Sequence, residues 1–373
     1  MTDQDRYWMQ QALALAEQAL YVSSPNPRVA CMIVRDGILL ASGTTQQAGG
    51  AHAEVMALRQ AAERGVEVAG STVYVTLEPC SHYGRTPPCV DALIQAQPAR
   101  VVVAMEDPNP LVAGKGFNKL RQAGIEVAGP LCLEQALALN VGFFARMVRK
   151  TPWLWMKMAC SLDGRSALTD GQSQWITGPL ARDDGHHWRA RSCVVLTGIG
   201  TVNADNPLLN VRAVATSRQP YKAIVDTQFS VDENAALFDG TPCWVFASRP
   251  DAEKAARLAD KNVQLVLLPE KQGHVDLTAV VQWLGAQHIN EIHVEAGAKL
   301  SGALIEAGCV DELLVYMAPK LLGAGRGLAD IHALSSLRQA PQYEFFDVCP
   351  VGPDLRLRAR QKAHWDALLE HCS

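Results

Sequence analysis

Apolar residues recur at helical spacing over positions 5–21, where Trp8, Met9, Ala12, Leu15, Ala16 and Ala19 form one stripe. That period predicts an amphipathic helix. Val29–Val34 is a short unbroken apolar run that reads as a buried strand. Beyond it the pattern predicts a helix over 52–63, strands at Thr72–Leu77 and Val101–Met105, and helices at about 115–123 and 133–149. Strands alternating with helices imply a three-layer α/β domain. Thr151-Pro152 is a natural boundary, because proline ends the preceding helix. The rhythm then restarts, with strand-like runs at Trp153–Ala159, Cys193–Leu196, Lys222–Val225, Trp244–Phe246, Val263–Leu267, Ile292–Val294 and Leu313–Met317, and helices at 276–285 and 299–307. The expectation is two α/β domains, 1–150 and 151–373, each with its own sheet.

The length agrees: 373 residues exceed the usual span of about 100–200 for one domain. Hydrophobic residues at 48% and charged residues at 19% fit a folded globule rather than a disordered chain. The net charge of −4, without a Lys/Arg block, disfavours a nucleic-acid partner. Residues 1–12 are too polar for a secretory signal, and no apolar run is long enough to span a bilayer, so a cytoplasmic location without a membrane partner is expected. Ten cysteines are scattered along the chain, and only Cys80 and Cys89 stand in a Pro/Gly-rich context. The others read as small buried hydrophobes of a reducing compartment.

The strongest chemical signal is His52-Ala53-Glu54 followed by Pro79-Cys80 and then Cys89. One imidazole and two thiolates suit Zn2+ and leave a fourth position for water, whose pKa the metal lowers towards neutrality. A nearby carboxylate can carry the proton from that water to a leaving amine, and Glu54 is the acid placed for it. Residues two apart diverge by roughly 200° on a helix, so His52 and Glu54 serve one site only near a helix start. Gly49-Gly50-Ala51 fits such a start. His-x-Glu with Pro-Cys…Cys is the signature of cytidine-type zinc deaminases. That signature has two residues between its cysteines, whereas this chain has Ser81-His82-Tyr83-Gly84-Arg85-Thr86-Pro87-Pro88. A lone histidine is usually structural and two cysteines usually core; it is their joint occurrence that favours metal. His82 is a rival ligand.

The eleven residues Pro79–Cys89 resemble the deaminase half of the bifunctional riboflavin-biosynthesis enzymes, whose pattern is Pro-Cys-Ser-His-x-Gly-Arg-Thr-Pro-Pro-Cys. That pattern assigns the metal to the position of His52 rather than His82. Ser24-Pro25-Asn26-Pro27-Arg28-Val29 resembles the family's entry to its first strand, and the resemblance implies that Asn26 bonds the pyrimidine edge. Asp107-Pro108-Asn109-Pro110 and Ala113-Gly114-Lys115-Gly116 resemble the loop after the last core strand, with Lys115 as partner for a substrate phosphate. A solvated loop lysine is the rival reading of Lys115. Departures from the family are Ala30, Thr45, Ala51 and Met56.

The second half carries no dinucleotide fingerprint: Gly323-Ala324-Gly325-Arg326-Gly327 does not match G-x-G-x-x-G and lies late in its domain. Here too the resemblance supplies the reading. Lys157–Arg165, Ser173–Thr177, Arg189-Ala190, Gly200–Arg212 and Glu295-Ala296-Gly297 stand in the order of the riboflavin-pathway reductases, whose fold is similar to dihydrofolate reductase. Asn206 and Ala296 depart from that pattern. The resemblance implies that Ala159, Trp175, Thr201, Asp205, Thr227 and Gly297 hold NADPH. It likewise implies that Ser173, Arg189, Leu209, Arg212 and Glu295 hold the substrate. The Gly297 turn leads into a helix whose free N–H groups suit a phosphate, and arginine binds phosphate bidentately. Surface salt bridging is the plain alternative for the two arginines, and core packing for Trp175. Lys157 and Asp205 are the candidates for protonation or orientation during hydride transfer, which itself belongs to the cofactor.

The implied activity is deamination of 2,5-diamino-6-(5-phosphoribosylamino)pyrimidin-4-one to the aminouracil, then NADPH-dependent reduction of the ribosyl chain to ribityl. A phosphoribosyl pyrimidine is thus the expected partner, and a homo-oligomer, dimer or tetramer, the expected assembly. Two rivals stand beside it: a nucleic-acid deaminase with an accessory domain, which would need a basic groove, and a deaminase with a non-catalytic C-terminal module.

Overall fold

In the computed structural model, which describes residues 1–81, 87–109 and 113–372, the chain divides into two compact units. One takes Met1–Arg149 with Asp366–Ser373, and the other Lys150–Trp365.

The first unit opens on α1 (Asp3–Ala16), started by a capping box in which Thr2 and Asp5 satisfy each other's backbone N–H groups. Strand β1 (Ala30–Arg35) turns at Asp36-Gly37, both left-handed at φ 51° and 74°, into β2 (Ile38–Thr44). Two such residues make the tight turn that matches strand twist, and Asp-Gly supplies them cheaply. Then come α2 (Ala53–Glu63), β3 (Thr72–Val75), α3 (Cys89–Ala96), β4 (Arg100–Val103), α4 (Lys115–Gln122), β5 (Glu126–Ala128) and α5 (Leu133–Arg149). The sheet order is β2-β1-β3-β4-β5. β1 is antiparallel to both neighbours, and the parallel rhythm holds only from β3 to β5. The apolar run of β1 is buried on both faces, as a strand between two partners and two helix layers must be. Helix α5 breaks at Asn140, whose buried amide bonds Arg28 twice: it accepts from the backbone N–H at 2.7 Å and donates to the carbonyl at 2.9 Å. The kink fixes the loop that carries Asn26 into β1.

The second unit contains β6 (Trp153–Ser161), β7 (Arg165–Leu168), α6 (Pro179–Arg191), β8 (Val194–Gly198), α7 (Ile199–Asp205), β9 (Tyr221–Val225), β10 (Cys243–Ala247), α8 (Ala252–Ala259) and β11 (Val263–Leu267). It continues with β12 (Glu270–Lys271), β13 (His274–Val275), α9 (Leu277–Ala286), β14 (Glu291–Glu295), α10 (Ala298–Glu306), β15 (Glu312–Ala318), β16 (Gly325–Gly327), β17 (Glu344–Val351) and β18 (Asp354–Arg360); α11 (Lys362–His371) begins in this unit, and its residues from Asp366 on belong to the first. Nine strands form one sheet in the order β11-β10-β9-β8-β14-β6-β15-β18-β17. It is parallel from β11 to β15 and antiparallel through the closing β17–β18 hairpin. Leu154, Met156 and Met158 of β6 join Ile292 and Val294 of β14 in its core. Their period of two is the alternation of a strand. Chain reversals between neighbouring parallel strands bring the turns after β8, β9 and β14 to one edge of this sheet.

Candidate functional site

The deaminase candidates meet where two helices begin. His52 is the residue before α2, with extended backbone (φ −76°, ψ 163°), and Glu54 lies in the first helical turn. The extended His52 backbone resolves the angular conflict between positions two apart. Cys89 opens α3 and is buried, while Cys80 stands in the loop after β3. The Nδ1 atom of His52 lies 3.2 Å from Cys89 Sγ and 3.5 Å from Cys80 Sγ, and the backbone N–H of Cys89 points at Cys80 Sγ from 3.4 Å. The three donor atoms all fall within 4.8 Å of one another. A tetrahedral zinc with bonds of about 2.0–2.3 Å places its ligands roughly 3.5–3.8 Å apart, so the trio fits the metal.

The electrostatics fit as well. Cys80 is held down to about 4 by the hydrogen bond from the Cys89 thiol and, against its burial, by His52. The Cys89 thiol, donor of that bond, is raised by the same bond and by burial. One thiolate thus forms readily, and the trio would hold a dication in place of the second thiol proton. His52 is raised by its bond to Cys80, against burial. Glu54 is buried and pushed up to about 7 by burial and by the Cys80 sulfur, opposed by a hydrogen bond with the Cys89 thiol. A carboxyl poised near neutrality can both take and give a proton. His82, the rival ligand, lies outside the described residues.

Asn26 sits half-buried in the turn before β1, where its N–H donates to the Ser23 carbonyl. Lys115 begins α4 between Gly114 and Gly116, both of which donate to the buried Glu78. Thr45 accepts from the Val29 N–H at 3.2 Å and braces the same entry loop.

In the second unit Lys157 and Ala159 lie on β6 and Glu295 ends β14, while Thr201 and Thr227 come just after β8 and β9, so these five share four adjacent strands, β9-β8-β14-β6; Arg189 is on α6, and Ser173, Trp175, Leu209 and Arg212 stand outside the strands. Glu295 ends β14 and pairs in register with Lys157 of β6. Thr201 follows β8 and accepts from the Gly297 N–H at 3.2 Å, tying the start of α7 to the turn that opens α10. Thr227 follows β9 and accepts from the Val275 N–H. Asp205 ends α7 with its carboxylate 3.5 Å from the amide of Gln174, which Ser173 and Trp175 flank in the chain. Trp175 is 63% exposed under the Arg182 guanidinium at 4.4 Å, so core packing does not explain this indole. Ala159 is half-buried on β6. The C-terminal ends of parallel strands are where open α/β sheets bind ligands.

The substrate candidates divide. Arg189 and Glu295 hold each other through both carboxylate oxygens, and Arg189 also donates to the Asn210 carbonyl at 3.0 Å. Burial works to raise Glu295, but the Arg189 guanidinium outweighs it and holds the carboxyl well below its usual range. Lys157 is lowered by burial, against the pull of Glu295. Arg212 is exposed, 3.2 Å from the Asn210 side chain. His186 is pushed down to about 4, first by burial and then by Arg189 and Arg212, against the pull of Glu295 and Asp183, so both arginines lie within electrostatic reach of it. Leu209 is 3% exposed at φ 50°, and what it can offer a ligand is backbone. Asn206, a departure from the family, takes the left-handed C-cap of α7 and accepts from the Ala236 N–H at 2.7 Å. Asparagine tolerates that conformation better than most residues.

Sequence reasoning missed Glu78 and Asn140. A carboxylate wedged between Leu77 and Pro79, in an apolar stretch, was the available sign of the first. Nothing local marked the second.

Among the described residues no helix is long and apolar enough to cross a membrane. Residues 2–105 match the cytidine and deoxycytidylate deaminase zinc-binding region, and residues 152–357 match the RibD C-terminal domain. The riboflavin biosynthesis protein RibD of Escherichia coli is 46% identical over 95% of this chain and 98% of its own length. That of Bacillus amyloliquefaciens is 39% identical over 96% of each. Among solved structures, Acinetobacter baumannii RibD superposes with a TM-score of 0.87 at 43% identity, covering 96% of this chain and 99% of that one. A Thermotoga maritima protein, titled a diaminohydroxyphosphoribosylaminopyrimidine deaminase/5-amino-6-(5-phosphoribosylamino)uracil reductase, gives 0.86 at 30% identity, with 96% and 99% coverage. The expected pair of folds, cytidine-deaminase-like and then dihydrofolate-reductase-like, is the one found, and zinc and NADPH are its cofactors. The chain belongs to the RibD family of bifunctional deaminase–reductase enzymes of riboflavin biosynthesis.

Proposed function

We propose that the chain performs two successive steps on one phosphoribosyl pyrimidine: deamination of 2,5-diamino-6-(5-phosphoribosylamino)pyrimidin-4-one to the aminouracil, then reduction of its ribosyl chain to ribityl. The observation that carries the first step is the meeting of His52, Cys80 and Cys89 beside the buried Glu54. When bound, zinc supplies a water of lowered pKa in its open fourth position, and NADPH supplies the hydride of the second step. His52, Cys80 and Cys89 hold the metal. Glu54 takes a proton from the water and gives it to the leaving amine. Asn26 bonds the pyrimidine edge and Lys115 meets the phosphate.

In the second site Ala159, Trp175, Thr201, Asp205, Thr227 and Gly297 line the cofactor. Ser173, Arg189, Leu209, Arg212 and Glu295 line the substrate. Lys157 and Asp205 orient the ribose and supply its proton as the ring opens at C1. Because Arg189 is engaged by Glu295, Arg212 takes the larger share of the phosphate. The proposal includes a cytoplasmic homo-oligomer, dimer or tetramer, whose mass sedimentation reads directly, and two domains, 1–150 and 151–373.

Metal analysis tests the carrying observation. Purified protein should hold about one zinc per chain, and the alanine variants of His52, Cys80 and Cys89 should each lose most of it. Zinc retained unchanged by all three variants would remove this site.

A further inference from the structure

Glu78 takes no part in the chemistry above, yet it is 3% exposed and ionisable. An isolated buried carboxylate is costly and persists only when fully bonded. Four backbone N–H groups converge on it. Oε2 accepts from Gly114 at 3.0 Å and Asp107 at 3.3 Å, and Oε1 accepts from Gly116 at 2.9 Å and Phe117 at 3.4 Å. The last two belong to the first turn of α4, which has no side-chain cap and no acidic residue of its own. Helix N-termini and glycine turns of this kind attract anions. Here the anion is part of the protein. The fit is closed: a Cβ on Gly116 would lie 2.4 Å from the Pro79 carbonyl and 2.9 Å from Glu78 Oε1, and Gly114 is left-handed at φ 70°. Glu78 is two residues from Cys80, so one side chain joins the metal loop to the turn that carries Lys115.

We infer that Glu78 is a positioning residue of the deaminase site: it clamps the Gly114-Lys115-Gly116 turn against the Cys80 loop and fills the anion seat of α4, leaving Lys115, not the helix N-terminus, to meet the substrate's phosphate. This rests on the deaminase reading above, and it sets substrate affinity rather than proton transfer, because His52, Glu54 and Cys89 are held by α2 and α3, and Cys80 is tied to α3 by the Val90 N–H on its carbonyl at 3.2 Å and the Cys89 N–H on its sulfur at 3.4 Å.

The test is Glu78→Ala in the full-length zinc enzyme, assayed for ammonia release. The KM for the phosphoribosyl substrate should rise about ten- to hundred-fold, as for lost charged hydrogen bonds. The kcat should stay within about three-fold, with zinc content and reductase rate unchanged. Added acetate or formate should restore the KM several-fold by reoccupying the seat, whereas chloride at equal ionic strength should not. An unchanged KM overturns the inference, as does a loss of activity that tracks loss of zinc and resists acetate. Should Glu78→Ala fail to fold, Glu78→Gln, which turns an amide donor on the N–H groups, must still raise the KM with zinc retained; wild-type constants in it overturn the inference equally. Absence of deamination in the wild-type enzyme would instead refute the underlying reading.

Discussion

At the scale of the residue, burial is what fits Glu54 for the proton transfer proposed for it. Exposed, it would be ionised and only a base. Buried beside the Cys80 sulfur it rises to about 7 and can cycle between acid and base. Glu54→Gln should therefore keep zinc and fold while slowing deamination by about 10²–10⁴-fold, with reduction of supplied aminouracil intact. Ammonia release at the wild-type rate would assign the proton to another group. Arg212→Ala should raise the reductase KM for the phosphorylated substrate about ten- to hundred-fold, the cost of a charged hydrogen bond, with NADPH titration unchanged. Weaker NADPH binding with an unaltered substrate KM would reverse the two sides of the pocket. The His52, Cys80 and Cys89 trio was legible because His-x-Glu and Pro-Cys…Cys are local patterns, although eight residues rather than two separate the cysteines and only the family resemblance preferred His52 to His82; Arg212 was legible through the resemblance alone. The mutual engagement of Arg189 and Glu295 was not legible, since 106 positions separate them and only the sheet brings them together.

At the scale of the element, helix starts and strand ends do the placing. The N-termini of α2 and α3 bring His52 and Cys89 together beside the Cys80 sulfur, whose negative charge their dipoles favour. The Arg189–Glu295 pair fastens α6 to β14 and should be visible in acid. The folded pKa of Glu295 is depressed, so its contribution to stability is present above the unfolded value of about 4.3 and is lost as pH falls through the folded value. Glu295→Gln should melt earlier at neutral pH, and the gap to wild type should close as the medium is acidified, as thermal unfolding at stepped pH would read. A gap that widens in acid would contradict the assignment. Periodicity found β1, β3, β4 and the central strands of the second unit, because a strand covered on both faces is an unbroken apolar run. It passed over β2 and the β17–β18 hairpin, whose partly exposed residues leave weak or interrupted patterns. The missed β2 hides the hairpin that makes the first sheet mixed.

At the scale of the whole molecule, two sheets with two chemistries share one chain. Chelation should abolish ammonia release and leave reduction of supplied aminouracil intact, with zinc restoring the first activity; a parallel loss of both would tie the reductase to the metal. The central claim is that one chain deaminates first and reduces second, and anaerobic product analysis tests it most directly. The diaminopyrimidinone ribosyl phosphate is given to the enzyme with and without NADPH. Without NADPH the aminouracil ribosyl phosphate should accumulate with stoichiometric ammonia, and with NADPH it should pass on to the ribityl compound. NADPH consumed without ammonia, or ammonia released only when NADPH is present, would contradict the account.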